Sequence, residues 1–184
     1  MLEFKQGYID SGFNFIKILR ERGILLEIDG SAFDNESKGS ILITCGDRDR
    51  ITDIFSHLRE MTEMHTLMLN GGGILLADSC FIRRQIILED CLDANRIKGI
   101  TFIKTLSHFP CGKALQRGHT AKDIILMTLE GKRNIIKTLS ARIKNLRVLA
   151  LLHVDWRDSN TPERGLRTYV INLKNYNLIE NMDY

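Results

Sequence analysis

The chain has little of what marks the special classes of protein. Two prolines in 184 residues rule out a proline-rich linker or low-complexity segment. No window approaches the roughly 18 consecutive apolar residues that span a bilayer, so no membrane partner is expected. Charge of one sign is also missing. Lys and Arg number 26 against 23 Asp and Glu, a net charge of +3 with no basic run. Nothing there marks a nucleic-acid partner. The start, Met1-Leu2-Glu3-Phe4-Lys5-Gln6, has no basic stretch followed by an apolar core, so no secretory leader is expected. Four cysteines are too few for a disulfide framework in a chain this long. The expected compartment is a reducing cytoplasm, where thiols stay available to metal.

What is present is an ordinary globular composition, 43% hydrophobic and 27% charged, consistent with one domain over residues 1–184. Phe13, Phe15, Ile16 and Leu19 predict a helix over Asp10 to Glu27, in an N-terminal arm of about residues 1–28. Gly30 to Gly39 reads as a loop. Short apolar runs predict strands at Ser40 to Thr44, Thr66 to Leu69, Ile100 to Leu106, Val148 to Val154 and Thr168 to Leu173. Helical spacing predicts helices over Arg50 to Met61 and Ser79 to Asn95. One or two more are expected over Lys122 to Asn145, with Gly131 as a break. This alternation implies an α/β fold: a mainly parallel four-stranded sheet, a fifth edge strand, and helices on both faces. Ligand sites of such sheets lie beyond the carboxyl ends of the strands.

Three segments fall there. Cys45-Gly46-Asp47-Arg48-Asp49-Arg50 follows the first of these strands, Asn70-Gly71-Gly72-Gly73 the second, and His108-Phe109-Pro110-Cys111-Gly112 the third. Cys45, Asp47, His108 and Cys111 together offer two sulfurs, an imidazole nitrogen and a carboxylate, a set that suits zinc. Cys111 stands at the opening of a helix, where peptide N–H groups favour its thiolate. A lone cysteine after a strand is more often a small buried hydrophobe, and Cys80 and Cys91 read that way. His57, His65, His119 and His153 lack ligand spacing and read as surface or core residues. The glycines after Asn70 lack the Lys and Ser/Thr of a phosphate loop and read as a tight turn.

These segments resemble the beta-class carbonic anhydrases, in order from about Ser40 to Leu115 and more weakly beyond. That family carries Cys-x-Asp-x-Arg after its first strand, Arg-Asn-Ala-Gly-Asn after its second and His-x-x-Cys-Gly after its third. The resemblance implies Cys45, His108 and Cys111 as ligands of a Zn2+ cofactor. It makes Asp47 either the fourth ligand or a gate held off the metal by an arginine. The backbone of Asn70, Gly71, Gly72 and Gly112 would line the substrate pocket. The implied activity is reversible hydration of carbon dioxide to bicarbonate by zinc-bound hydroxide, in a homodimer or higher homo-oligomer whose N-terminal helix embraces the partner. The chain departs from the pattern at several positions. Asp49 stands where the family keeps the gate arginine, and the resemblance leaves Arg50 or Arg48, which flank it, to pair with Asp47 in the catalytic gate. Leu69 replaces arginine, Gly73 replaces asparagine, Ser107 replaces glycine, and Pro110 stiffens the turn. Two alternatives accompany these departures: a zinc hydrolase of carbonyl sulfide or carbon disulfide, and a non-catalytic zinc domain closed by Asp47.

Overall fold

The computed structural model describes residues 6–28, 38–47, 52, 54, 64–78, 81–159, 165–172, 176–180 and 182. The chain is an α/β protein built on one sheet. Its strands are β1 (Leu25–Glu27), β2 (Ser40–Cys45), β3 (Met64–Leu69), β4 (Phe102–Phe109), β5 (Arg147–Asp155) and β6 (Leu166–Ile171), in the spatial order β1-β6-β5-β4-β2-β3. β3, β2, β4 and β5 run parallel, while β6 and β1 are antiparallel additions. The helices are α1 (Gln6–Glu21), α2 (Phe81–Lys98), α3 (Gly112–Gln116), α4 (Ala121–Leu139) and α5 (Tyr176–Glu180). No described helix is long and apolar enough to cross a membrane.

The parallel strands read as unbroken apolar runs because both their faces are covered. Every residue of β2 and β4 is buried. Ile41, Ile43, Ile103, Phe109, Leu152 and Val154 face a layer made by α1, α2 and α4. Leu42, Phe102, Leu106 and Leu151 face the other way, against Ile28 and the helical Ile54. The helix expected over Arg50 to Met61 otherwise lies outside the described residues, as do most of the Gly30 to Gly39 loop, His57 and Cys80.

The sheet has six strands where five were expected. The helix read over Asp10 to Glu27 stops at Glu21, because Gly23 takes a left-handed φ of 66°. The N–H of Ile24 then returns to the Leu19 carbonyl at 2.9 Å, and Leu25–Glu27 turns into the sheet beside β6. Ile24, Leu25 and Leu26 fit a helical stripe and a short strand equally well, so periodicity alone did not separate them. Gly131 does not break α4. A Cβ there would stand 2.9 Å from Leu76 Cβ and 3.0 Å from the Gly73 carbonyl, so this glycine lets α4 lie directly on the chain behind the site.

In α1, Phe13, Phe15, Ile16 and Leu19 are all buried within the chain itself. Phe13 stacks on Trp156 at 5.0 Å and meets Phe109 edge-on at 5.3 Å.

Candidate metal centre

Cys45 is the last residue of β2, and His108 is the next-to-last residue of β4. Because β2 and β4 are hydrogen-bonded neighbours, their carboxyl ends bring thiol and imidazole to one place. Cys111 follows two residues beyond β4 as the N-cap of α3. The sulfurs of Cys45 and Cys111 and a ring nitrogen of His108 all lie within 4.8 Å of one another, and all three residues are buried. The trio can hold a metal ion.

The imidazole is oriented for that role. His108 Nδ1 lies 2.7 Å from the Pro110 carbonyl, an acceptor only, so Nδ1 carries the proton and donates it. Nε2 is thereby the lone-pair nitrogen, and it is buried with no hydrogen-bond partner among the described residues. An orphaned buried acceptor beside two sulfurs is the arrangement a metal satisfies. The Pro110 carbonyl was not legible as a functional group. In the sequence Pro110 reads only as a stiffener of the turn.

The two thiols are unequal. Their mutual hydrogen bond lowers Cys45 below the ordinary thiol range, helped against the cost of burial by the Gly71 N–H, which donates to Cys45 Sγ at 3.3 Å. The same bond raises Cys111 well above the ordinary thiol range, and burial adds to the rise. The N–H groups of Lys113 and Ala114 do act on Cys111, as its place at the start of α3 led one to expect. They are outweighed, because two sulfurs this close do not both ionise without a cation between them. The preference for thiolate expected at Cys111 therefore belongs to Cys45.

The turn after β3 props the site from below. The Gly46 N–H donates to the Leu69 carbonyl at 3.0 Å, carrying the β2–β3 ladder past Cys45. Gly71 and Gly72 both have positive φ, 105° and 50°. A Cβ on Gly72 would be driven into the Cys45 amide nitrogen and would stand 2.6 Å from the Thr44 carbonyl carbon. A Cβ on Gly73 would stand 2.7 Å from Thr105 Oγ1 and 2.8 Å from Ser107 Oγ. Ser107 Oγ in turn lies 2.6 Å from Thr128 Oγ1 of α4. The two departures at Gly73 and Ser107 thus offset each other in volume across the end of β4. Asn70 sits beside Gly46, and Gly112 opens α3 behind Cys111.

Asp47 is placed next to the trio rather than in it. Its Oδ2 lies 3.9 Å from His108 Nε2, and about a third of its side chain is exposed. Arg48, Asp49 and Arg50 lie outside the described residues, so the pairing of Asp47 with either arginine is not part of this geometry.

No family model matches the sequence, and no curated protein matches it. Among solved structures, the chain is similar to the carbonic anhydrase of Streptococcus mutans, with 12% identity and a TM-score of 0.46. That likeness covers 94% of this chain and 100% of the other. It is also similar to beta-carbonic anhydrase isoform I of the protozoan Trichomonas vaginalis, with 16% identity and a TM-score of 0.42, over 92% and 99% of the two chains. TM-scores under 0.5 at such identities are too low to carry a function across.

Proposed function

We propose that the chain is a zinc-dependent, carbonic-anhydrase-like protein that interconverts carbon dioxide and bicarbonate. The observation that carries this reading is the convergence of Cys45, His108 and Cys111 around the orphaned Nε2 of a buried imidazole. Two sulfurs and one nitrogen match the softness of zinc and leave a tetrahedral ion one open position. A bound zinc would supply Lewis acidity, making a water molecule nucleophilic near neutral pH.

The chain's own residues have separate parts in this. Cys45 and Cys111 contribute the anionic sulfurs, and the Pro110 carbonyl holds the His108 ring in the tautomer that presents Nε2. Ile74, Phe109 and Ala114 belong to the same buried apolar cluster as the two cysteines, so the sulfurs are held on the edge of the core. Asp47 stands on the more exposed side, where its carboxylate is an acceptor for water.

A second reading rests on that same aspartate. An Asp47 oxygen 3.9 Å from His108 Nε2 is near enough to move onto a metal held by the trio, which would close the site. Stopped-flow hydration of carbon dioxide by zinc-loaded protein separates the two. The catalytic reading expects activity that is lost in Cys111→Ser and in His108→Ala. The closed reading expects tightly held zinc, no activity in the unmodified chain at neutral pH, and activity appearing in Asp47→Asn. Inactivity of both the unmodified chain and Asp47→Asn, with zinc bound, would sink the catalytic proposal.

A further inference from the structure

Two thiols stand side by side in the metal centre. Cys45 ends β2, Cys111 lies two residues beyond β4, and those strands are hydrogen-bonded neighbours. Their sulfurs lie within 4.8 Å of each other and share a hydrogen bond, and both cysteines are free. A disulfide holds its sulfurs at about 2.05 Å, so the two side chains have a short gap to close by rotation. The backbone on both sides is anchored independently of the sulfurs. The Gly46 N–H donates to the Leu69 carbonyl, and the Leu115 N–H donates to the Cys111 carbonyl, each at 3.0 Å.

The packing also selects the pair. Cys91 is buried on α2 in a separate cluster with Ile41, Leu88 and Leu92. Cys45 and Cys111 share the cluster of Ile74, Phe109 and Ala114. The approach from solvent lies beside Asp47, whose side chain is about a third exposed. Hydrogen peroxide is small enough for any path that admits a metal ion.

We propose that Cys45 and Cys111 form a reversible dithiol–disulfide pair, closed by a peroxide and opened by a thiol reductant, and that the closed form cannot hold the metal. In the first step one cysteine sulfur attacks a peroxide oxygen. The O–O bond breaks, the sulfur becomes a sulfenic acid, and one water leaves. The second sulfur then displaces the sulfenic oxygen, forming the S–S bond and releasing a second water. Peroxide is reduced by two electrons and the two thiols are oxidised by two. A disulfide sulfur is no longer an anionic donor, so two of the three ligands are lost and His108 Nε2 alone remains. An ion that occupies both sulfurs withholds them from peroxide in return. This opposition rests on the zinc reading above, whereas the cross-link itself does not.

The test treats the reduced, full-length chain with hydrogen peroxide, with and without added zinc, then denatures it, labels free thiols with N-ethylmaleimide and weighs it. The sequence has four cysteines, so the expected change is from four labels to two. Trypsin should release residues 39–48 joined to residues 105–113, and dithiothreitol should part them. Cys91→Ser should form the link as before, and Cys45→Ser should not form it. Added zinc should slow the link at least about tenfold, and oxidised protein should take up zinc only after reduction. Links scattered over Cys80 and Cys91, or oxygen added to either site cysteine without a link, would overturn the inference. So would four labels after peroxide sufficient to oxidise free cysteine. Equal rates with and without bound zinc would overturn the opposition between metal and disulfide. The specific link in a chain that takes up no zinc even when reduced would support the cysteine pair and count against the zinc reading instead.

Discussion

The pair Cys45 and Cys111 shows how a few ångströms decide protonation. Cys45, hydrogen-bonded by its neighbour, is held below the ordinary thiol range, so it is the sulfur of the pair that ionises first, because a group with a depressed pKa is ionised at every pH above it. Cys91, buried and beside Asp90, is pushed up to about 12 and stays protonated at neutral pH. Chelator-treated protein should therefore show thiolate absorbance in the far ultraviolet that persists below the ordinary thiol range and disappears in Cys45→Ser. A signal rising only through the ordinary thiol range, near ~8.5, would contradict the assignment. Gly72 sets a second condition on the same sulfur. With φ of 50° and no room for a Cβ beside the Cys45 amide, Gly72→Ala should cost more than about 2 kcal/mol and lower the melting temperature, as calorimetry would show. An unchanged melting temperature would mean that the turn gives way without disturbing Cys45.

Among the elements, α1 and α4 matter most to the placement of the site. α4 starts at a capping box in which the Asp123 N–H donates to Thr120 Oγ1 and the Thr120 N–H donates to Asp123 Oδ2. It then crosses behind the glycine turn at Gly131. α1 seals Phe109, the residue after His108, under Phe13. An added Cβ at Gly12 would run into the Phe109 ring, so α1 lies directly on the end of β4. Phe13→Ala should therefore destabilise the single chain by about 3–5 kcal/mol in denaturant titration. A loss well under 1 kcal/mol would show that α1 is held by something other than its own core, as a partner-embracing arm would be.

Over the whole molecule, the parallel sheet and the end-of-strand location of the candidate site were legible, because runs such as Ile41–Thr44 and Ile100–Leu106 are apolar on both faces and stop at polar or glycine-rich turns. The gathering of Cys45, His108 and Cys111 was legible for the same reason: adjacent parallel strands must place their ends together. Less legible was whatever rests on a shared pattern. Leu25–Glu27 satisfies helix and strand alike, and the apolar face of α1 reads the same whether it covers its own sheet or another chain. The tautomer of His108 rests on a backbone carbonyl, which no residue type encodes. Gly73 and Ser107 looked like two separate departures until their side-chain volumes were set against each other across β4.

The central claim is that the trio is a metal centre with a thiolate-rich donor set. X-ray absorption at the zinc edge, with metal content determined on protein purified without added zinc, tests it most directly. The expected result is about one zinc per chain with two sulfur neighbours near ~2.3 Å and at least one imidazole nitrogen, one sulfur being lost in Cys111→Ser. Protein that binds no metal when zinc is supplied, or that binds zinc through nitrogen and oxygen alone, would contradict it.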